Sequence, residues 1–123
     1  MTFQAVRAIG LRLPGVEEST MYGSPALKLS GRLIACLATH KSAEPGTLVV
    51  RTDFDQRDTL IAEDPDTYYV REHYQTFPVV LVRLSRVNLD AMRDLLNAAH
   101  RVVSASQRKK KTRPASRPRA AAR

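Results

Sequence analysis

Apolar residues recur along the chain with two periods, and the places where the period changes divide it into elements. At 100° per residue, Phe3, Val6, Ile9 and Leu13 fall on one side of a helix, while Gln4, Arg7, Ala8 and Arg12 fall outside it. Thr2 is placed to cap that helix, which the spacing sets over 3–13, and Pro14-Gly15 stops it. A β-favouring stretch at 19–22 comes next, with Gly23-Ser24-Pro25 as its turn. Strands over 26–29 and 32–38 then flank Ser30-Gly31, a two-residue connection suited to a hairpin. Residues 40–46 are polar, contain Pro45 and Gly46, and read as a loop before a strand over 47–51.

Asp53, with Gln56 three residues on, marks a helix start and predicts a helix over 54–63, with Pro65 just beyond its end. Strands follow over 68–73 and 79–84, separated by a polar link and Pro78. Asn88 caps the most regular helix, expected over 89–106. Its residues Leu89, Met92, Leu95, Leu96, Ala99, Val102 and Val103 fall within an arc of about 140°. Asp90, Arg93, Asp94, Asn97 and Arg101 take the other side, and Asp90 in the first turn suits the helix dipole. Helix, strand meander, short helix, two strands and long helix together predict an α+β fold: a compact single domain, with a mainly antiparallel sheet and flanking helices. Strands and ten-residue helices do not alternate regularly, which argues against a doubly wound parallel sheet.

Charge divides the chain a second time. Of its 123 residues, 1–106 carry twelve basic and twelve acidic side chains, so this part is formally neutral. The net +8 comes from residues 107–123, where Arg108, Lys109, Lys110, Lys111, Arg113, Arg117, Arg119 and Arg123 occur without one acid. That segment has no large apolar side chain to bury, its charges repel one another, and Pro114 and Pro118 oppose a continuous helix. The sequence therefore predicts an α+β domain over 1–106 and a disordered basic tail over 107–123. The strongly hydrophobic run at 33–38 is far short of a membrane span, and Arg7 and Arg12 interrupt any secretory apolar region. With Cys36 as the single cysteine, an intramolecular disulfide framework and a multi-cysteine zinc site are excluded. A cytoplasmic protein is the expectation, nucleoid-associated if it binds DNA.

Several short pieces occur in a telling order: Leu13-Pro14-Gly15-Val16-Glu17-Glu18, Gly23-Ser24-Pro25-Ala26-Leu27-Lys28, Gly31-Arg32-Leu33-Ile34-Ala35, Arg57-Asp58-Thr59-Leu60, Asp64-Pro65 and His73-Tyr74. Pro78-Val79-Val80-Leu81-Val82-Arg83-Leu84, Leu95-Leu96 and Ala99-His100-Arg101 complete the set. In their order and spacing over 13–103 the chain resembles the MmcQ/YjbR-like family of small bacterial proteins, departing from it at His100, where such relatives often carry tryptophan. The resemblance implies a compact α+β fold with an antiparallel sheet and flanking helices, and it implies DNA binding, as members are usually labelled. It does not reach the basic tail.

The tail's own chemistry points to polyanions. Duplex DNA carries one charge per about 1.7 Å of axis, and cations on a loose strand can follow it without a shaped site. The expectation is largely sequence-independent phosphate contact, with DNA favoured over RNA and no membrane partner. The alternative is a protein-interaction or small-ligand module whose tail targets RNA or ribosomes. On the domain, alternation puts Lys28, Arg51 and Arg83 opposite the Leu27/Leu29, Leu48/Val50 and Val80/Val82 sets, so the three could line one sheet face together with Ala26, Val49 and Leu81. On an extended strand Tyr68 and Tyr74 would point the same way and could hold a flat base. No catalytic residue is indicated: His40, His73 and His100 are scattered, Gly23-Ser24-Pro25 is no nucleophile elbow, and no glycine-rich phosphate loop occurs. The acids between Asp53 and Asp66 lack the glycine and closing glutamate of a calcium loop, so neither metal nor cofactor is expected. Cys36, amid Ile34, Ala35 and Leu37, reads as a buried inert thiol.

Overall fold

The computed structural model describes the backbone of residues 1–116 and the side chains of 1–106. It is an α+β fold: helices α1 (Phe3–Gly10), α2 (Phe54–Glu63) and α3 (Leu89–Ser116), with strands β1 (Val16–Met21), β2 (Ser24–Leu29), β3 (Arg32–Leu37), β4 (Thr47–Arg51), β5 (Tyr68–Tyr69) and β6 (Val79–Arg83). The strands form one antiparallel sheet in the order β1-β2-β3-β4-β6-β5. The first three are joined by two-residue turns at Tyr22-Gly23 and Ser30-Gly31. All four turn residues have positive φ, the backbone that matches the twist of a tight hairpin.

Caps fall where short polar side chains foretell them. Thr2 accepts from the Ala5 amide at 3.3 Å, Asp53 from Gln56 at 2.7 Å and Asn88 from Ala91 at 2.8 Å. Four elements differ from expectation by three residues or more. α1 stops at Gly10 rather than Leu13, because residues 11–13 tighten into turns in which Arg12 and Leu13 donate to Ile9 and Gly10 carbonyls. β1 begins at Val16, three residues before the expected 19, and its turn is Tyr22-Gly23 rather than Gly23-Ser24-Pro25. Pro25 instead lies in β2 opposite Thr20. The expected strand over 68–73 is only Tyr68–Tyr69, after which the chain makes a 3₁₀ turn at Glu72–Tyr74. The backbone of α3 passes the expected boundary at Ser106 and runs to Ser116. Lack of order in the tail concerns side chains from 107 on, and a backbone from 117 on, that lie outside the described residues.

The helices gather on one face of the sheet, called here the first. Met92, Leu95, Leu96, Ala99 and Val103 of α3 and Val6 of α1 pack there on Leu27, Leu29, Ile34, Leu48, Val50, Val80 and Val82, with Leu60 and Ile61 of α2 at the margin. Leu89, expected in this stripe, is 49 % exposed because it opens the helix before α3 reaches the sheet. The second face holds a smaller core of Ala26, Cys36, Val49, Tyr69, Val79 and Leu81, covered by Met21, Leu33, Ala38, Ala43 and Tyr74.

Gly10 marks the closest approach of α1 to the sheet. A Cβ there would fall inside van der Waals contact with Cδ1 of Leu27, a fully buried side chain with nowhere to retreat. Overpacking of this kind costs about 1–3 kcal/mol, against at most about 1 kcal/mol of helix propensity gained. Gly10→Ala should therefore lower stability by about 1 kcal/mol in urea unfolding, although the same exchange stabilises most helices.

Candidate nucleic-acid interface

Five of the tail cations, Arg108, Lys109, Lys110, Lys111 and Arg113, sit on the backbone of α3 past Ser106. Their side chains, and the whole of Arg117, Arg119 and Arg123, lie outside the described residues. The structure thus fixes where this charge begins: at the C-terminal end of the helix that covers the first face.

Register places Lys28, Arg51 and Arg83 on the second face, as alternation predicts, but does not bring them together. Arg51 lies opposite Val79, whereas Arg83 lies opposite Thr47 at the other end of the same strand pair. Lys28 faces Leu33 across β3. Arg83 is already occupied. Its Nε and Nη2 donate to Glu44 at 2.9 and 2.7 Å, and Nη1 donates to the carbonyls of Pro65 and Asp66, each at 3.1 Å. Hydrogen bonding from Arg83 holds the Glu44 carboxyl below its ordinary 4.5 against the opposing effect of burial. Arg71 adds a third bond to Glu44 at 3.2 Å, and the Arg71 and Arg83 guanidinium groups lie over the Tyr69 ring, at 4.5 and 4.3 Å. The Tyr69 hydroxyl accepts from the Glu44 amide at 2.9 Å and lies 2.6 Å from Thr47 Oγ1. Glu44 is therefore the hub that holds both guanidinium groups of this corner, a role no local sequence pattern announces.

Other domain cations are engaged as well. Arg7 pairs with Glu18, and Arg93 with Asp90 at 3.2 Å. Arg57, only 7 % exposed, has no carboxylate partner among the described residues: it donates to the carbonyls of Gln75, Phe77 and Val79 at 3.1, 3.0 and 3.3 Å beneath the Phe54 ring. Arg51 Nε is buried without a partner.

The tyrosine platform does not form. Tyr68 is buried in the first-face core, while Tyr74 covers the second, because the chain turns after Tyr69 and the strand alternation ends there. Instead the turn stacks His73 on His40, with ring centroids 3.6 Å apart and 8° between planes. Cys36 is buried as expected. Burial pushes its thiol up to about 11 against the pull of Lys28, which leaves it protonated and unreactive at neutral pH. His100, half-buried, lies 2.7 Å from the Pro14 carbonyl and ties α3 to the turn after α1. A shallow groove of about 430 Å³ separates α1 from α3, with Ala5, Ile9, Leu13 and Leu89 along it and Arg12 and Arg93 among its lining. Among the described residues no group of three or more His, Cys, Asp or Glu could hold a metal ion, and no helix is long and apolar enough to cross a membrane.

Comparison with known proteins accords with this architecture. The family model described as YjbR matches residues 11–102. The chain is also similar to the crystal structure of Deinococcus radiodurans protein DR2400, whose family-model domain is DUF419. The TM-score is 0.68 at 20 % identity, covering 84 % of this chain and 78 % of that one, a likeness of fold. No curated protein matches.

Proposed function

The chain belongs to the YjbR family, and on that footing we propose that it is a non-catalytic nucleic-acid-binding protein that grips phosphates, DNA before RNA, through its basic tail. The observation that carries this reading is the partition of charge. Residues 1–106 balance twelve cations with twelve anions, and the whole excess of eight follows Ser106. Within the domain, Glu44, Glu18, Asp90 and main-chain carbonyls already engage Arg83, Arg71, Arg7, Arg93 and Arg57. A phosphate approaching these groups would have to displace existing partners. Tail cations have no acid of their own segment to satisfy them, so counterions are released when they meet a phosphate chain. Contacts of this kind position a protein without reading bases. The location that fits is the cytoplasm, at the nucleoid.

Fluorescence anisotropy with labelled duplex DNA, single strands and RNA tests the reading by comparing the full chain with one ending at Ser106. Loss of binding on truncation, with the far-ultraviolet circular dichroism of the domain retained, is the expected result. Binding that survives truncation would move the site to the domain. The α1–α3 groove favours a second reading, an interaction or small-ligand module, and absence of nucleic-acid binding by both chains would select it.

A further inference from the structure

The loop between β3 and β4 is fastened to the second face at two places of different chemistry. One is ionic. Glu44 is held by Arg83 and Arg71, and its amide donates to Tyr69. The other is aromatic and lies four residues earlier, where His40 stacks on His73 of the 3₁₀ turn, and the Tyr74 ring stands edge-on to both at 6.2 and 4.9 Å. Ala38 and Ala43 of this loop and Tyr74 of the 3₁₀ turn pack against the smaller core that contains Cys36.

We propose that the His40–His73 stack is a proton-operated latch, which holds the 38–43 part of the loop against the 3₁₀ turn when His40 is neutral and releases it when His40 takes up a proton in mild acid. The geometry fixes the protonation state of the closed form. His40 Nδ1 lies 3.0 Å from the Ser42 amide nitrogen, whose hydrogen can only be donated, so Nδ1 is the acceptor and carries no proton. Ser42 Oγ lies 2.8 Å from the same nitrogen, where it can share the lone pair of the neutral ring or accept from Nδ1–H once the ring is protonated. The neutral ring therefore keeps its hydrogen on Nε2. Adding a proton at Nδ1 sets two N–H donors against each other and breaks the bond that turns the loop at Ser42. It also places a positive charge against the second imidazole.

Beyond the Ser42 hydroxyl, the described surroundings offer no carboxylate to balance the added charge. Lys41, on the same loop, is a further cation; the 3₁₀ turn contributes His73 and the neutral phenol Tyr74; and β3 beneath contributes the neutral thiol Cys36. Glu44, the acid of this loop, is committed to Arg83 and Arg71, whose own charges do not titrate, and Glu72 and Arg71 precede His73 with opposite signs. Burial first, then His73 and Lys41, lower the His40 pKa from its ordinary 6.5. A value depressed in the closed state means that closure is fully favoured above about 6.5 and weakens as pH falls below it. The Glu44 anchor is unaffected there, because its carboxyl titrates below 4.5. The loop thus has a pH-insensitive hinge and a pH-sensitive end. The same Nδ1 bond disfavours a metal at Nε2, which would force the proton onto Nδ1.

Cys36 reports the state of the latch. Its rate of labelling by 4,4′-dithiodipyridine, divided at each pH by that of glutathione to remove ordinary thiol ionisation, should rise between pH 8 and pH 5. The rise expected is about tenfold for each unit by which the closed-state value lies beneath 6.5. His40→Asn offers a side-chain oxygen to Ser42 but cannot titrate, so its normalised rate should be flat with pH, whatever its level. His73→Phe keeps an aromatic ring in the stack but removes one of the groups that lower His40, and should therefore make the rise smaller. Circular dichroism at each pH separates local release from unfolding. A flat profile in the unmodified chain, or an undiminished rise in His40→Asn, would overturn the latch.

Discussion

Raising monovalent salt from 50 to 200 mM weakens binding of the full chain to duplex DNA by about ten-thousandfold, if all eight tail cations meet phosphates. The expectation follows from counterion release: about −0.9 per neutralised phosphate gives a slope of about −7 for log K against log salt on B-form duplex. Single strands, with their lower charge density, should give about −6. Replacing Lys109, Lys110 and Lys111 by glutamine removes three charges and should flatten the duplex slope by about 3. Lysine and arginine keep their protons across the accessible range, so the slope should be the same at pH 6 and pH 9, which separates the tail from any histidine effect in the domain. Base composition should leave affinity almost unchanged, since phosphate contacts carry no sequence information. A slope near zero in anisotropy titrations would contradict the phosphate-binding assignment.

Arg57→Ala is expected to cost about 3 kcal/mol in urea unfolding, because hydrogen bonds from a charged donor are worth about 1.5–3 kcal/mol each and their loss here is only partly made good by water. The guanidinium reaches from α2 to three carbonyls in 75–79 and ties the helix to the approach of β6. It is buried, and its charge rests on carbonyl dipoles and the Phe54 face rather than on a carboxylate. Lysine carries the same charge but cannot present a planar fork to separate acceptors, so Arg57→Lys should recover little of the loss. Arg93→Ala is the control. Its pairing with Asp90 is exposed and spans one helical turn, and its removal should cost less than about 0.5 kcal/mol. Equal losses at the two positions would remove the special place given to Arg57.

How much of this was legible in the chain depends on the range over which each signal acts. α2 and β4 match their expected bounds because their determinants are local: Asp53 caps, Pro65 follows the helix, and the strand's apolar run is bounded by Gly46 and Asp53. The start of β1 is hidden from a local reading because a tyrosine at positive φ does not look like a turn residue, whereas Pro25 does. Nothing local marks the turn after Tyr69, so alternation extends the strand over 68–73 and sets Tyr68 and Tyr74 on one side, whereas they belong to opposite faces. The shared face of Lys28, Arg51 and Arg83 was readable from alternation. Their separation, and the capture of Arg83 by Glu44, were not, because these depend on strand order and on a loop folding back over the sheet. The stacking of His40 on His73 is likewise a property of two distant segments.

β1 to β4 pair with one another in the order in which they are synthesised, and their first two connections need only two residues each. The cover for the first face arrives last, since Met92, Leu96, Ala99 and Val103 all belong to α3. A nascent chain interrupted before Leu89 would have only α1 and α2 over this face and would leave Ile34, Leu48 and Val50 short of cover, a sticky surface of the sort that engages chaperones or aggregates. Fragments for dissection should therefore end after this helix has crossed the sheet.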